Sequence, residues 1–144
     1  MAYTHFFNSF TALYRPYVKL IQPILDDYNL HTAQWLVLKD IAINQPTTLV
    51  QISKRRSIEK PTTRKIIKVL LDKGLLSLAQ GEDKREKWLT LSPAGQKQHD
   101  AILAQVIATQ NNIIDQSGLS ETEITTITQN LEHIYDLLIK EVNQ

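Results

Sequence analysis

Apolar residues recur along the chain with two different periods, and the change from one to the other divides the sequence into elements. Between residues 3 and 28, Phe6, Phe10, Leu13, Tyr17, Leu20, Ile24 and Tyr28 return every three or four positions, the spacing of one face of a helix. Pro16 and Pro23 interrupt that stretch. Each removes a backbone donor and disfavours helical geometry in the residue before it, so the pattern predicts a kinked helix or two shorter ones. After Asn29-Leu30-His31, Thr32 is placed to cap a second helix that carries Trp35, Leu36, Leu38, Ile41 and Ala42 and ends at Asn44-Gln45-Pro46. Thr48 and Gln51 have capping-box spacing and open a short helix towards Arg56.

Ser57-Ile58-Glu59 then reads as a tight turn. Pro61 falls in the first turn of a further helix, where its missing amide is tolerated, and Gly74 is the natural stop. Here the period changes. Leu75 to Ala79 is a short strand candidate and Lys87 to Leu91 alternates as a second, around a polar tip from Gln80 to Glu86. Ser92-Pro93 starts a long helix through Ile102, Leu103, Val106, Ile107, Ile113 and Ile114, stopped by Gly118. Ser120 and Glu123 repeat the capping-box spacing before a last helix. There Ile124, Ile127, Leu131, Ile134 and Leu138 form a seam of threes and fours, widened by Tyr135 and Ile139.

Two short helices joined by a three-residue turn, with a hairpin immediately after them, describe a winged helix-turn-helix. The expected fold class is mainly α with one small β-hairpin. Residues 30–92 would form the winged lobe, and residues 1–29 and 93–144 a helical dimerisation region. The seam and the aromatic first helix carry more apolar surface than one small lobe can cover. A second copy of the chain is one way to bury them, and an intramolecular core is the other.

Charge sharpens this picture. Residues 54–87 hold eleven basic and five acidic side chains, net +6, while the rest of the chain is net −5. A basic middle between acidic ends suits a polyanion-binding surface, although a solvated mixed-charge surface has the same composition. At about 100° per residue, Thr63, Ile66, Ile67 and Leu70 of the fourth helix share one side. Lys60, Pro61, Arg64, Lys65 and Lys68 share the other, within an arc of about 140°. A core face backed by four cations is what a helix entering the major groove requires. Lys54, Arg55 and Arg56 at the end of the preceding helix are either solvated helix-end charges or backbone contacts.

Other chemistry is thinly represented. There is no cysteine, which removes disulfides and thiolate catalysis. No apolar run approaches the ~20 residues of a membrane span, and the first ten residues lack the features of a signal peptide. A soluble, cytoplasmic protein is expected. His5, His31, His99 and His133 lie far apart without metal-ligand spacing, Asp26 and Asp27 diverge on a helix, and no glycine-rich phosphate loop occurs. These absences argue against a metal site, a cofactor and an enzyme.

Residues 30–97 resemble the MarR family of bacterial transcription regulators. The likeness is carried by Leu30-His31-Thr32-Ala33-Gln34-Trp35-Leu36-Val37-Leu38, by Ile58-Glu59-Lys60-Pro61-Thr62-Thr63-Arg64, and by Leu70-Leu71-Asp72-Lys73-Gly74-Leu75-Leu76. Asp83-Lys84-Arg85 followed by Leu89-Thr90-Leu91-Ser92-Pro93-Ala94-Gly95 completes it. The resemblance implies a homodimer formed by the first, fifth and sixth helices, binding double-stranded DNA at an inverted repeat through successive major grooves about 10 bp apart. It implies repression by operator occlusion.

The DNA-binding residues it points to are Lys60, Thr62, Thr63, Arg64, Lys65, Lys68, Asp83, Lys84 and Arg85. Arg85 would enter or line the minor groove, and Asp83 would orient a nearby arginine or simply serve the turn. Lys84 and Lys87 are phosphate contacts or solvated charges. Pro61 stands where many family members carry a small hydroxyl residue, which leaves Thr62 and Arg64 as the base-reading candidates. Family members often bind small aromatic or anionic effectors, and Tyr14, Tyr17, His31 and Trp35 could line such a crevice or belong to the core. The alternative function is a winged-helix protein-interaction module without DNA binding. Such a module would tend to lose Arg64, Lys65 and Arg85, all of which are present.

Overall fold

The computed structural model describes residues 2–83 and 85–143, and Lys84 of the predicted wing lies outside them. In chain order the described elements are α1 (Thr4–Asp26), α2 (Thr32–Asn44), α3 (Leu49–Arg56), α4 (Lys60–Asp72), β1 (Leu76–Gln80), β2 (Lys87–Leu91), α5 (Pro93–Ser117) and α6 (Glu121–Val142). The chain divides into two compact units, the second beginning at Ala108 within α5.

Local chemistry explains most element boundaries. Thr48 Oγ1 accepts the Gln51 N–H at 3.3 Å while Gln51 Oε1 accepts the Thr48 N–H at 3.3 Å, which closes the start of α3. Ser57 takes the left-handed conformation and turns the chain into α4, which Gly74 ends at φ +74°. Ser92 Oγ accepts from the Gly95 N–H at 2.9 Å and Pro93 occupies the first helical position of α5.

Of the two forms expected for residues 4–26, the single helix is the one found, with Pro16 and Pro23 inside it. Both prolines occupy exposed positions of the helix, as do Ala12 and Lys19. Two expectations change. His31, not Thr32, caps α2: its N–H donates to Gln34 Oε1 at 3.0 Å, and the Thr32 hydroxyl instead donates to Gln22 Oε1 on α1 at 2.9 Å. The first strand begins one residue later than expected and takes in Gln80, because Gln80 pairs with Lys87 and Leu76 with Leu91.

The core of the first unit joins Ile21 and Leu25 of α1 to Trp35, Leu38 and Ile41 of α2, Ile52 of α3, and Ile66, Ile67 and Leu70 of α4. Leu76, Leu89 and Leu91 of the hairpin and Ile102 and Val106 of α5 complete it. Thr47, fully buried between α2 and α3, exchanges two backbone hydrogen bonds with Leu89 at 3.1 and 2.7 Å, adding a one-residue bridge to the base of the hairpin. Gly95 packs so closely on the connection between α4 and β1 that a Cβ there would sit 1.9 Å from the Leu75 carbonyl oxygen.

In the second unit Gly118 at φ +71° ends α5, and Ser120 and Glu123 cap α6 reciprocally at 3.0 and 3.1 Å. No described residue of α6 is buried within the chain; Ile127, Leu131, Tyr135 and Leu138 are all exposed.

Candidate nucleic-acid interface

Burial divides α4 as its angular spacing predicts. Thr63, Ile66, Ile67 and Leu70 are buried; Lys60, Pro61, Thr62, Arg64, Lys65 and Lys68 are exposed. Thr63 is therefore removed from the DNA-reading set. Its hydroxyl donates to the Glu59 carbonyl at 3.1 Å and accepts from Ser53 Oγ at 2.9 Å, locking α4 to α3 in the interior. Lys68 forms an exposed ion pair with Asp72 at 3.3 Å, a contact that screening makes easy to exchange for a phosphate.

The wing is organised by Asp83. Its carboxylate accepts the Arg85 N–H at 3.0 Å and its carbonyl accepts the Glu86 N–H at 2.9 Å, the side-chain turn that aspartate makes readily. The Gly81 N–H donates to the Glu86 carbonyl at 3.0 Å and closes the loop below the tip. Asp83 thus orients Arg85 through the backbone while the guanidinium stays exposed.

Helix and wing flank a common groove of about 650 Å³, lined by Thr48, Val50 and Gln51 of the α3 start, Lys60 and Arg64 of α4, and Arg85, Glu86, Lys87 and Trp88 of the wing. Lys60, Arg64, Arg85 and Lys87 face one carboxylate, Glu86, so the groove is net positive. A concave cationic wall beside an exposed helix focuses positive potential where a polyanion backbone would run. Lys65 and Thr62 are exposed on α4 outside the groove lining.

Trp88 and Gln51 were not among the sequence candidates. Trp88 had a signal: in β2 the inward positions are Leu89 and Leu91, so a tryptophan between Lys87 and Leu89 faces away from the core. Gln51 did not, because its capping role accounts for it fully.

Arg55 leaves the basic run. Its guanidinium grips Asp40 of α2, with Nη2 2.7 Å from Oδ2, and reaches the Thr47 hydroxyl at 2.7 Å. Lys54 and Arg56 remain exposed. The candidate effector crevice also changes. Trp35 is 3% exposed and stacked on His99 with ring centroids 5.4 Å apart, so it is core. Tyr14 and Tyr17 are exposed on α1, and His31 is exposed at the start of α2. A separate apolar cavity of about 350 Å³ lies behind α4, lined by Leu49, Ile67, Leu71, Leu78 and Leu89 with Arg64, Lys68, Asp72 and Lys87.

A family model described as the MarR family matches residues 28–86. An uncharacterized HTH-type transcriptional regulator of Staphylococcus aureus strain Mu50 is 42% identical over 139 residues, covering 96% of this chain and 95% of the relative. The chain belongs to the MarR family. MarR-family proteins are transcription regulators, and this chain is a regulator rather than an enzyme. Staphylococcus aureus MarR in complex with salicylate and kanamycin matches with a TM-score of 0.86 at 42% identity, over 96% of this chain and 93% of that one. A Listeria monocytogenes MarR-family regulator complexed with 26mer DNA matches with a TM-score of 0.84 at 21% identity, over 94% and 89% of the two chains, a likeness of fold. Among the described residues no helix is long and apolar enough to cross a membrane, and no group of three metal-binding side chains occurs.

Proposed function

We propose that this MarR-family chain is a cytoplasmic, homodimeric repressor that binds double-stranded DNA sequence-specifically at an inverted repeat and is released by a small ligand. The observation that carries the reading is the groove in which Lys60 and Arg64 of the recognition helix face Arg85 and Lys87 of the wing. Arg64 and Thr62 are the base-reading residues; Lys60, Lys65, Lys68 and Lys87 serve the phosphates; Arg85, held by Asp83, serves the minor groove. Lys84 joins them on sequence grounds. Residues 30–92 supply the DNA-binding lobe, and the apolar faces of α1 and α6 supply the dimer contacts. The DNA complex of the Listeria regulator supports this use of the fold.

Ligand release draws support from the salicylate complex of Staphylococcus aureus MarR. Tyr14, Tyr17 and His31 offer one aromatic surface for such a compound. The cavity behind α4 offers another, since a ligand there would engage Arg64 and Lys68 in competition with DNA. Selection of bound duplexes from a random pool tests the central reading. Recovery of an inverted repeat with half-sites about one helical turn apart is expected. Recovery of no enriched sequence, or of a single asymmetric half-site, would overturn it.

A further inference from the structure

The groove can serve DNA only if wing and recognition helix keep a fixed spacing, and one side chain ties together the elements that set it. Arg55, on α3, donates from Nε to Asp40 Oδ1 at 3.1 Å and Oδ2 at 3.2 Å, and from Nη2 to Oδ2 at 2.7 Å. Asp40 is 9% exposed on α2 and Arg55 32% exposed, so the pair is largely sheltered from solvent. The same Nη2 donates to Thr47 Oγ1 at 2.7 Å, and Thr47 Oγ1 donates to Gln51 Oε1 at 3.0 Å. Thr47 is in turn paired through its backbone to Leu89 of β2, two residues from Lys87 and four from Arg85. On the other side of α3, Ser53 Oγ bonds Thr63 of α4 at 2.9 Å. Besides its core packing, helix α3 therefore bonds the recognition helix through a hydroxyl pair and reaches the wing through Arg55, itself anchored on Asp40, by way of Thr47 and Leu89.

We infer that Arg55 and Asp40 are positioning residues for DNA recognition: the relay fixes the distance between the wing and α4 so that both engage one duplex at once. The inference rests on DNA binding by this lobe. Two linked contacts reinforce each other only while their geometry permits simultaneous engagement, and a loosened wing lowers affinity for the cognate site with no DNA contact removed. A fork matters here because the planar guanidinium grips the carboxylate side-on at two points while reaching the hydroxyl, and a lysine ammonium has no such fork.

The experiment compares Asp40→Asn and Arg55→Lys with the unaltered protein, on a duplex carrying the selected sequence and on poly(dI-dC), across a salt series. Both variants are expected to lose roughly tenfold or more in cognate affinity. Their poly(dI-dC) affinity and salt slope should not change, and minor-groove protection beside the half-site should weaken. If Arg55 instead contacted phosphate, Asp40→Asn would free it, leaving cognate binding unchanged or tighter, and that result overturns the inference. Equal losses on both duplexes overturn it too, since they report general damage. Thermal melts accompany the binding. If Asp40→Asn does not fold, Arg55→Lys carries the same comparison, and unfolding of both would make the relay a stability element only and defeat the proposal. Failure of the unaltered protein to select any duplex would defeat the DNA-binding reading itself, and this inference with it.

Discussion

Arg64 lines both the cationic groove and the apolar cavity behind α4, the one recognition-helix guanidinium among the residues described for either space. If it reads a guanine edge, Arg64→Ala should lower affinity by about 1–3 kcal/mol and relax preference at a single position. A competition series over single-base variants of the selected duplex measures this, and uniform weakening would make Arg64 a phosphate contact. Thr63 belongs to a different class. Removing its hydroxyl in Thr63→Val leaves buried Ser53 without its acceptor, and should lower unfolding stability by about 1–3 kcal/mol in urea titrations. The direction of each side chain was legible from helical periodicity. Periodicity already set Thr63 on the core side and Thr62 away from it; the resemblance alone counted Thr63 among the DNA contacts, and its burial removes it.

At the scale of elements, capping and turn chemistry were the most legible features. Thr48 with Gln51, Ser92 with Pro93, and Ser120 with Glu123 act within four residues of one another, so each start is set by local chemistry. Glu123 also makes the last cap sensitive to pH. The Ser120 backbone N–H, and then its hydroxyl, hold the carboxyl below its ordinary value of 4.5. A carboxyl depressed in the folded chain contributes at full strength above its ordinary value and is lost as pH falls through the lower, folded value. The first-turn amides of α6 should therefore lose protection on acidification below 4.5, and Glu123→Gln should remove that dependence. Residue-resolved NMR across the range decides it; identical acid profiles in both proteins would exclude the cap as the cause. For the first helix the sequence left two forms open, and the structure has the single helix. Local proline chemistry allows either a kinked helix or a break, so it could not choose between them.

At the scale of the whole molecule, the apolar faces of α1 and α6 are the dimer contacts proposed above. Phe6, Phe10 and Tyr17 on α1, and Ile127, Leu131 and Leu138 on α6, are each more than a third exposed in the single chain. Leu131→Asp should shift sedimentation from dimer to monomer at micromolar concentration, and should reduce the dependence of thermal midpoint on protein concentration. An unaltered protein that sediments as a stable monomer there would refute the seam. By itself, the sequence determined the element order, the cation-bearing face of α4 and the Asp83 turn, because these depend on spacing along a few residues. Only the tertiary structure decided that Arg55 serves Asp40 and Thr47, that Trp35 belongs to the core against His99, and that Gly95 must lack a side chain against Leu75. In each case the partner lies eight to sixty-four residues away, and no local pattern specifies it.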